Sequence, residues 1–243
     1  MIGVNFVAET EKKLNHVGVI MDGNRRWARQ HKFETVIKGH EKGVDKFMEL
    51  CMWCQERAIK HLTVYAFSYD NWNRTNEEVD GLMDLMERFF TSKVKTCINR
   101  GIRLVPIGNF SVMKEKNRET LFKAAEMTKD CTSLTVNVAI SYGGHDETVR
   151  VAKKIAQDVA DGKISPEEIT QDLYIKYLDL AHSPEMDLVI RTGGDKRLSG
   201  FFPWETAYSE FCYLDVLWPD FSHEQFDYAV DEYYEKVRIN KGK

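Results

Sequence analysis

This 243-residue chain lacks most of the strong biases that would assign it to a class at once, and each absence excludes something. No apolar run approaches the ~18 residues of a membrane-spanning helix, and the opening MIGVNFVAETEKK has no secretory apolar core. The expectation is a cytoplasmic protein. Basic excess is missing as well: 34 Lys and Arg face 38 Asp and Glu, a formal charge of −4, so the chain has none of the overall basic footprint that nucleic-acid binding needs. The five cysteines are an odd number, and most fall inside predicted elements, which argues against a disulfide framework. Cys51 and Cys54 form a CxxC, but they continue the helical pattern Val44, Phe47, Met48 with no second Cys/His pair nearby, so the spacing reads as packing rather than zinc. Five prolines and 15 glycines are scattered, with no linker, repeat or low-complexity run. One domain over 1–243 is expected, with 1–14 as a flexible or helical extension. Neither G-x-G-x-x-G nor G-x-x-x-x-G-K-[ST] occurs, which removes the common nucleotide loops.

What is present is an alternation. Short apolar runs at 16–21, 61–67, 102–107, 134–140, 187–191 and 211–216 alternate with helical periodicity at 24–31, 40–57, 76–98, 111–128, 146–160 and 223–238. A further helix start is read at Ser165-Pro166-Glu167-Glu168, and Thr75 with Glu78 forms a capping box for the helix at 76. The runs at 62–67 and 135–140 have almost no polar face, as in strands covered on both sides. The pattern predicts an α/β single domain with a six-stranded, mostly parallel sheet covered by helices on both faces. Ligands of such sheets sit beyond the carboxyl ends of the strands. Asp22, Ser68, Ser141 to Gly144 and Arg191 to Gly193 each follow a predicted strand, so they should share one edge.

Two segments carry chemistry. In 186–221, MDLVIRTGGDKRLSGFFPWETAYSEFCYLDVLWPDF, a strand ends in Arg191 and is followed by Gly193-Gly194, Lys196, Arg197 and Ser199. Guanidinium forks bind phosphate oxygens bidentately, and glycines let backbone N–H groups approach an anion. Near the other end, HVGVIM runs into Asp22-Gly23-Asn24-Arg25-Arg26-Trp27, where a carboxylate and two arginines open a helix. Helix N-terminal amides suit a diphosphate, and a carboxylate suits Mg²⁺ on its oxygens. A plain N-cap is the simpler reading of Asp22 alone.

These segments, with GHEKG at 39–43, YAFSYDNWNR at 65–74, SYGGHDE at 141–147 and DVLWPDF at 215–221, resemble in order and content the cis-prenyltransferases typified by undecaprenyl diphosphate synthase. The resemblance covers residues 15–238. It implies a Z-isoprenyl diphosphate synthase that condenses isopentenyl diphosphate with an allylic diphosphate primer, with Mg²⁺ as cofactor. It assigns Asp22 and Asn71 to catalysis. Gly23, Asn24, Arg25, Arg26, Trp27, His40, Ser68, Trp72 and Arg74 go to the allylic diphosphate; Arg191, Arg197 and Ser199 go to isopentenyl diphosphate. Asp22 and, from a partner subunit, Glu210 go to the metal. A homodimer is implied, with the aromatic-rich Phe201, Phe202 and Trp204 as candidates for its interface; Tyr208, Trp218 and Phe221 read as packing around the second anion site. Phe47, Leu50, Leu82, Met83, Met86 and Phe90 are expected along an apolar tunnel for the growing tail. A product so apolar implies peripheral contact with a membrane on delivery. The proton acceptor stays open among Asp22, His40, Asn71 and a diphosphate oxygen.

The chain departs from the pattern in places. Val36 stands where the family places an arginine on the allylic diphosphate, and Arg25 or Lys38 is the expected replacement. Asp70 and Asp195 replace glutamates, Ser141 and His145 replace Asn and Arg, and Arg238-Ile239-Asn240 only loosely matches the family's end. Product length, and regular against irregular head-to-middle coupling, stay open. Non-catalytic partner subunits of heteromeric synthases lose the Asp-Gly-Asn and Arg-Thr-Gly-Gly residues that this chain keeps.

Overall fold

The computed structural model describes residues 13–240. Residues 1–12 of the expected extension lie outside them, as do the side chains of Ile239 and Asn240; Leu14, assigned to that extension, is buried in the core. The strands are β1 (His16–Ile20), β2 (His61–Ser68), β3 (Ile102–Ile107), β4 (Leu134–Tyr142), β5 (Leu188–Arg191) and β6 (Glu210–Tyr213). They form one sheet in the order β3-β4-β2-β1-β5-β6, and all five pairings are parallel. Among the described residues there are eight α-helices: α1 (Asn24–Gln30), α2 (Ile37–Glu56), α3 (Asn76–Ser92), α4 (Val94–Asn99), α5 (Glu115–Thr128), α6 (Gly144–Ala160), α7 (Gln171–Tyr177) and α8 (His223–Asn240).

Burial explains why the strands lack a polar face. Val17 and Val19 point to one side, where they join Leu62, Val64 and Val136 under Phe47, Leu50, Phe90, Leu121 and Phe226 from α2, α3, α5 and α8. Ile20 and Val189 point to the other, against Met186, Phe201 and Phe202. A smaller cluster of Val151, Ile155 and Leu178 ties α6 to the end of α7. Phe201 and Phe202 are therefore core residues rather than interface candidates, while Trp204 stays partly exposed. Cys51 and Cys54 are free and buried, with burial pushing both thiols up, as packing requires.

Three element boundaries differ from the sequence pattern. The helix expected over 76–98 breaks at Lys93, two residues after Thr91, whose hydroxyl donates to the Glu87 carbonyl at 2.8 Å. The break lets α4 bury Val94 and Cys97 separately. At 165 the capping box forms, with Ser165 N–H on Glu168 Oε2 at 2.7 Å, but it closes only a single turn, because Thr170 caps a new start at Leu173 N–H. The sixth strand ends at Tyr213 because the backbone beyond it has other partners: the carbonyls of Leu214 and Val216 accept from Gly194 and Gly193.

β1 lies between β2 and β5, and the chain leaves it on one side and returns on the other. The loops after β1 and β5 therefore flank a topological switch point, where open parallel sheets bind their ligands.

Candidate active site

The site is built on the turn after β1. Gly23 caps α1 with φ 115°, a left-handed conformation that favours glycine, and a Cβ there would meet the Leu217 backbone at 2.9 Å. The Asp22 carbonyl is held by Thr192 Oγ1 at 2.7 Å and by Trp218 N–H at 3.0 Å, which fixes the turn independently of the side chain. The Asp22 carboxylate accepts from Arg191 Nη2 at 3.0 Å and lies 3.3 Å from Arg26 Nη2. The two sequence segments thus meet at this carboxylate.

Arg191 ends β5 and is only 3% exposed. Its Nη1 donates to Ser199 Oγ at 2.9 Å and to the Arg197 carbonyl, and its Nη2 reaches Asp195 at 3.2 Å. Asp195 Oδ2 also accepts from Arg197 Nη2 at 2.7 Å, so one carboxylate holds two guanidinium forks side by side. Gly193, with φ 90°, makes this approach feasible: a Cβ there would lie 2.4 Å from Arg26 Nη2.

On the β2 side, Ser68 N–H donates to Asn71 Oδ1 at 3.2 Å, setting the turn that carries Asn71 to the cavity. Glu78, at the start of α3 and nearly buried, accepts from Arg74 Nη1 at 2.8 Å and lies 3.3 Å from Arg25 Nε, drawing both cations together. His40 on α2 is held at a pKa of about 4, first by burial and then by the charges of Arg74 and Arg25, so it is neutral near pH 7. Its Nε2 is buried without a partner among the described residues.

Together these groups line a cavity of about 1190 Å³ bearing six arginines (25, 26, 29, 74, 191, 197) against three aspartates (22, 70, 195). In a chain of net charge −4 this is a local anion site. A second, apolar cavity of about 650 Å³ adjoins it and shares Met21, Asn24 and His40 with it. Phe47, Leu82, Met86 and Phe90 line the apolar cavity as expected, together with Val44, Leu85, Phe89 and the strand residues Val64, Ala66 and Val138. Leu50 and Met83 do not: Leu50 is a core residue, and Met83 faces the far side of α3.

Several expected site residues lie elsewhere. Trp27 turns away from the cavity, donating Nε1–H to Asp220 at 2.8 Å and stacking on His31. Trp72 likewise donates to Ser141 Oγ at 2.8 Å and packs edge-on to Phe67, so it braces the loop from behind. Tyr208 is 89% exposed, not packed around an anion site. Glu210 begins β6 at the opposite edge of the sheet from Asp22, 3.8 Å from Lys236, so it does not meet Asp22 within its own chain. Lys38 pairs with Glu41 at 2.8 Å outside the cavity, whereas Arg25 lines it. Arg29 was not anticipated, although its position four residues after Arg25 on α1 places it on the same helical face.

No group of three His, Cys, Asp or Glu side chains among the described residues could hold a metal ion by itself. The donor set fits Mg²⁺ in another way: this ion keeps several waters and takes one or two carboxylates plus substrate phosphates, and Asp22 is a carboxylate lining the arginine-rich cavity. No described helix is long and apolar enough to cross a membrane.

Behind the anion loop, Glu205 is buried with both carboxylate oxygens unpartnered, and burial, then the nearby Glu147 charge, pushes its pKa up from 4.5 to about 8. Below pH 4.5 it is protonated in both folded and unfolded chains. Between pH 4.5 and about 8 only the unfolded chain ionises it, so its contribution to stability falls as pH rises, by about 1.4 kcal/mol for each pH step of one. Glu205→Gln should therefore melt above the parent by a margin that widens from about pH 5 to about pH 8 and then levels; a margin independent of pH would contradict this.

The family model described as "Putative undecaprenyl diphosphate synthase" matches residues 20–240. An isoprenyl transferase of Streptococcus thermophilus is 39% identical over 228 residues, 92% of this chain and 91% of its own length. One of Streptococcus pyogenes is 40% identical over 227 residues, with the same coverage. Among solved structures, lavandulyl diphosphate synthase from Lavandula x intermedia, in complex with dimethylallyl diphosphate, superposes with a TM-score of 0.88 at 32% identity, over 93% of this chain and 97% of that one. A "probable undecaprenyl diphosphate synthase" from Campylobacter jejuni gives 0.76 at 32% identity, over 91% and 95%.

Proposed function

This chain belongs to the cis-prenyltransferase family typified by undecaprenyl diphosphate synthase and is a prenyltransferase, and from that premise we propose that it condenses isopentenyl diphosphate with an allylic diphosphate to extend a Z-polyprenyl diphosphate. The observation that carries this reading is the joining of an arginine-lined cavity to an apolar one through Met21, Asn24 and His40. A ligand with a diphosphate head and a hydrocarbon tail fits that shape.

In the reaction, the allylic C1–O bond breaks and its electron pair leaves with the diphosphate. The isopentenyl double bond then attacks C1, forming the new C–C bond, and a proton is lost from isopentenyl C2. Arg25, Arg26, Arg74, Asn24 and His40 hold the departing diphosphate, and preorganised donors of this kind each contribute roughly 3–4 kcal/mol where charge develops. Arg191, Arg197 and Ser199 hold the isopentenyl diphosphate. Asp22 would hold Mg²⁺, which when bound would supply charge neutralisation for the leaving diphosphate. His40, neutral and orphaned between the cavities, is an available proton acceptor beside Asn71.

Arg25 takes the place of the arginine missing at Val36. Arg25→Gly should weaken allylic diphosphate binding about tenfold, the worth of one charge-assisted hydrogen bond, while Lys38→Ala leaves it within about twofold. Titration calorimetry decides this, and equal affinities for parent and Arg25→Gly would remove Arg25 from the site. A homodimer is part of the reading, since Glu210 could serve only another subunit's Asp22. So are a cytoplasmic location and peripheral contact with a membrane, required to hand over an apolar product.

Incubating the protein with labelled isopentenyl diphosphate, Mg²⁺ and allylic primers of increasing length, then sizing the products, tests the proposal. Incorporation into Z-products supports it; no incorporation with any primer favours a non-catalytic subunit. A second reading, short or irregular coupling, is favoured by the likeness to lavandulyl diphosphate synthase. A branched ten-carbon product would establish it.

A further inference from the structure

Consecutive residues of β2 face different spaces. Val64 and Ala66 line the apolar cavity, whereas Tyr65 lines the arginine-lined one beside Arg191, Arg197 and Ser199. This follows the alternation of a strand, and the register of β2 against β4 shifts just beyond, between Tyr65 and Phe67. Among the described residues, Tyr65 is the one phenylalanine, tyrosine or tryptophan on the arginine-lined cavity. The diphosphate contacts proposed above do not involve it.

The Tyr65 side chain joins the ends of three strands. Its hydroxyl donates to the carbonyl of Tyr142, the last residue of β4, at 3.0 Å and lies 3.5 Å from the Ser199 carbonyl in the loop after β5. Its ring packs against Phe201 at 5.3 Å and edge-on to Tyr142 at 6.1 Å. Burial, then the Asp70 charge, pushes the hydroxyl's pKa up against a hydrogen bond with Ser68, so it keeps its proton and stays a donor. Ser199 is a residue that needs support. With φ 52° it stands in the left-handed region, which is unfavourable for a side chain with a Cβ and persists where the surroundings over-determine it. Its neighbours are fixed by the backbone: the Gly200 carbonyl accepts from Gly144 N–H at 2.9 Å, and Phe201 N–H donates to the Leu198 carbonyl at 3.1 Å. Tyr65 approaches Ser199 itself, from β2. In this conformation Ser199 Oγ accepts from Arg191 Nη1 at 2.9 Å.

We propose that Tyr65 is a positioning residue for the isopentenyl substrate: its hydroxyl, held on the end of β4, keeps the Ser199 turn in the conformation that presents Ser199 Oγ and the Arg191–Arg197 pair to one diphosphate. The identity of that substrate rests on the prenyl-elongation reading above. Loss of the hydroxyl removes the donor between the Tyr142 and Ser199 carbonyls and lets the Ser199 turn relax out of the left-handed region, which takes Oγ away from Arg191. The allylic side of the cavity should be spared, because Arg25 and Arg74 are held separately by Glu78.

Tyr65→Phe removes the hydroxyl and keeps the ring. Titration calorimetry with isopentenyl diphosphate alone, which cannot react without a primer, should show about fivefold weaker binding, the worth of one neutral hydrogen bond. An unreactive allylic thiodiphosphate should bind within about twofold of the parent. In steady-state assays the KM for isopentenyl diphosphate should rise by the same factor of about five, with kcat within about twofold. Urea titration of the same samples keeps a loss of folded protein apart from a loss of affinity. Unchanged affinity for isopentenyl diphosphate, an equal loss for both ligands, or a fall in kcat alone would overturn the assignment. Should the parent bind no isopentenyl diphosphate, the elongation reading fails instead. Titration with inorganic diphosphate then decides the role of Tyr65: weaker binding to Tyr65→Phe keeps it as the support of the anion loop, and equal binding removes it.

Discussion

Asp22→Ala is expected to lower kcat by about 10²–10³ while leaving the KM for the allylic diphosphate unchanged or reduced. The loss follows from removing the carboxylate proposed to hold a cation against the leaving group, an interaction of the strength of a transition-state donor. The KM follows from the contacts of that carboxylate. It is bonded to Arg191 at 3.0 Å and lies 3.3 Å from Arg26, so its removal leaves two cations free for phosphate oxygens. The turn itself should persist, because Thr192 and Trp218 hold the Asp22 backbone rather than its side chain. Steady-state kinetics at saturating Mg²⁺ separates the terms. A raised KM with normal kcat would mean that Asp22 contributes only ordinary ground-state binding.

Arg191→Ala should have the second largest effect, on the other substrate. The side chain bonds Ser199, the Arg197 carbonyl, Asp195 and Asp22, so it shapes the loop that carries the other proposed donors besides acting, in the proposed reading, as a donor itself. The KM for isopentenyl diphosphate should rise about 10²-fold, as expected for loss of a bidentate charged contact at about 1.5–3 kcal/mol. Stability should fall by on the order of 2 kcal/mol, below the roughly 3–5 kcal/mol of a fully buried pair because the carboxylates of Asp22 and Asp195 are still partly wet. Arg191→Lys should recover part of the stability but little of the affinity, since a point charge cannot serve Ser199 and Asp22 at once. Urea titration alongside kinetics distinguishes these; lysine restoring full affinity would mean that charge alone matters.

Much of the fold was legible in the sequence because a doubly covered parallel strand is buried at almost every position and so mostly apolar, as β1 and β4 are. The common placement of the candidate residues was legible where they end or follow a strand: Asp22, Ser68 and Arg191 line one cavity. What failed depended on direction rather than position. Trp27 and Trp72 sit in the expected loops but point to Asp220 and Ser141. Leu50 and Met83 belong to the right helices but to other faces. Phe201 and Phe202 follow an exposed loop yet plug the sheet, where Gly18 leaves room that a Cβ would deny to Met186 and Phe201. The end of α3 was hidden because its apolar stripe continues through Val94. The shared rim at His40 needed the placement of α1 against α2, which no local pattern encodes, whereas Arg29 was within reach of the four-residue spacing from Arg25.

The most direct measurement is a crystal structure with isopentenyl diphosphate and an unreactive allylic thiodiphosphate bound together with Mg²⁺. Both diphosphates are expected in the arginine-lined cavity, with the ion against Asp22 and the allylic tail passing His40 toward Phe47 and Phe90. Either diphosphate bound outside that cavity, or a tail directed away from the apolar space, would contradict the two-cavity mechanism.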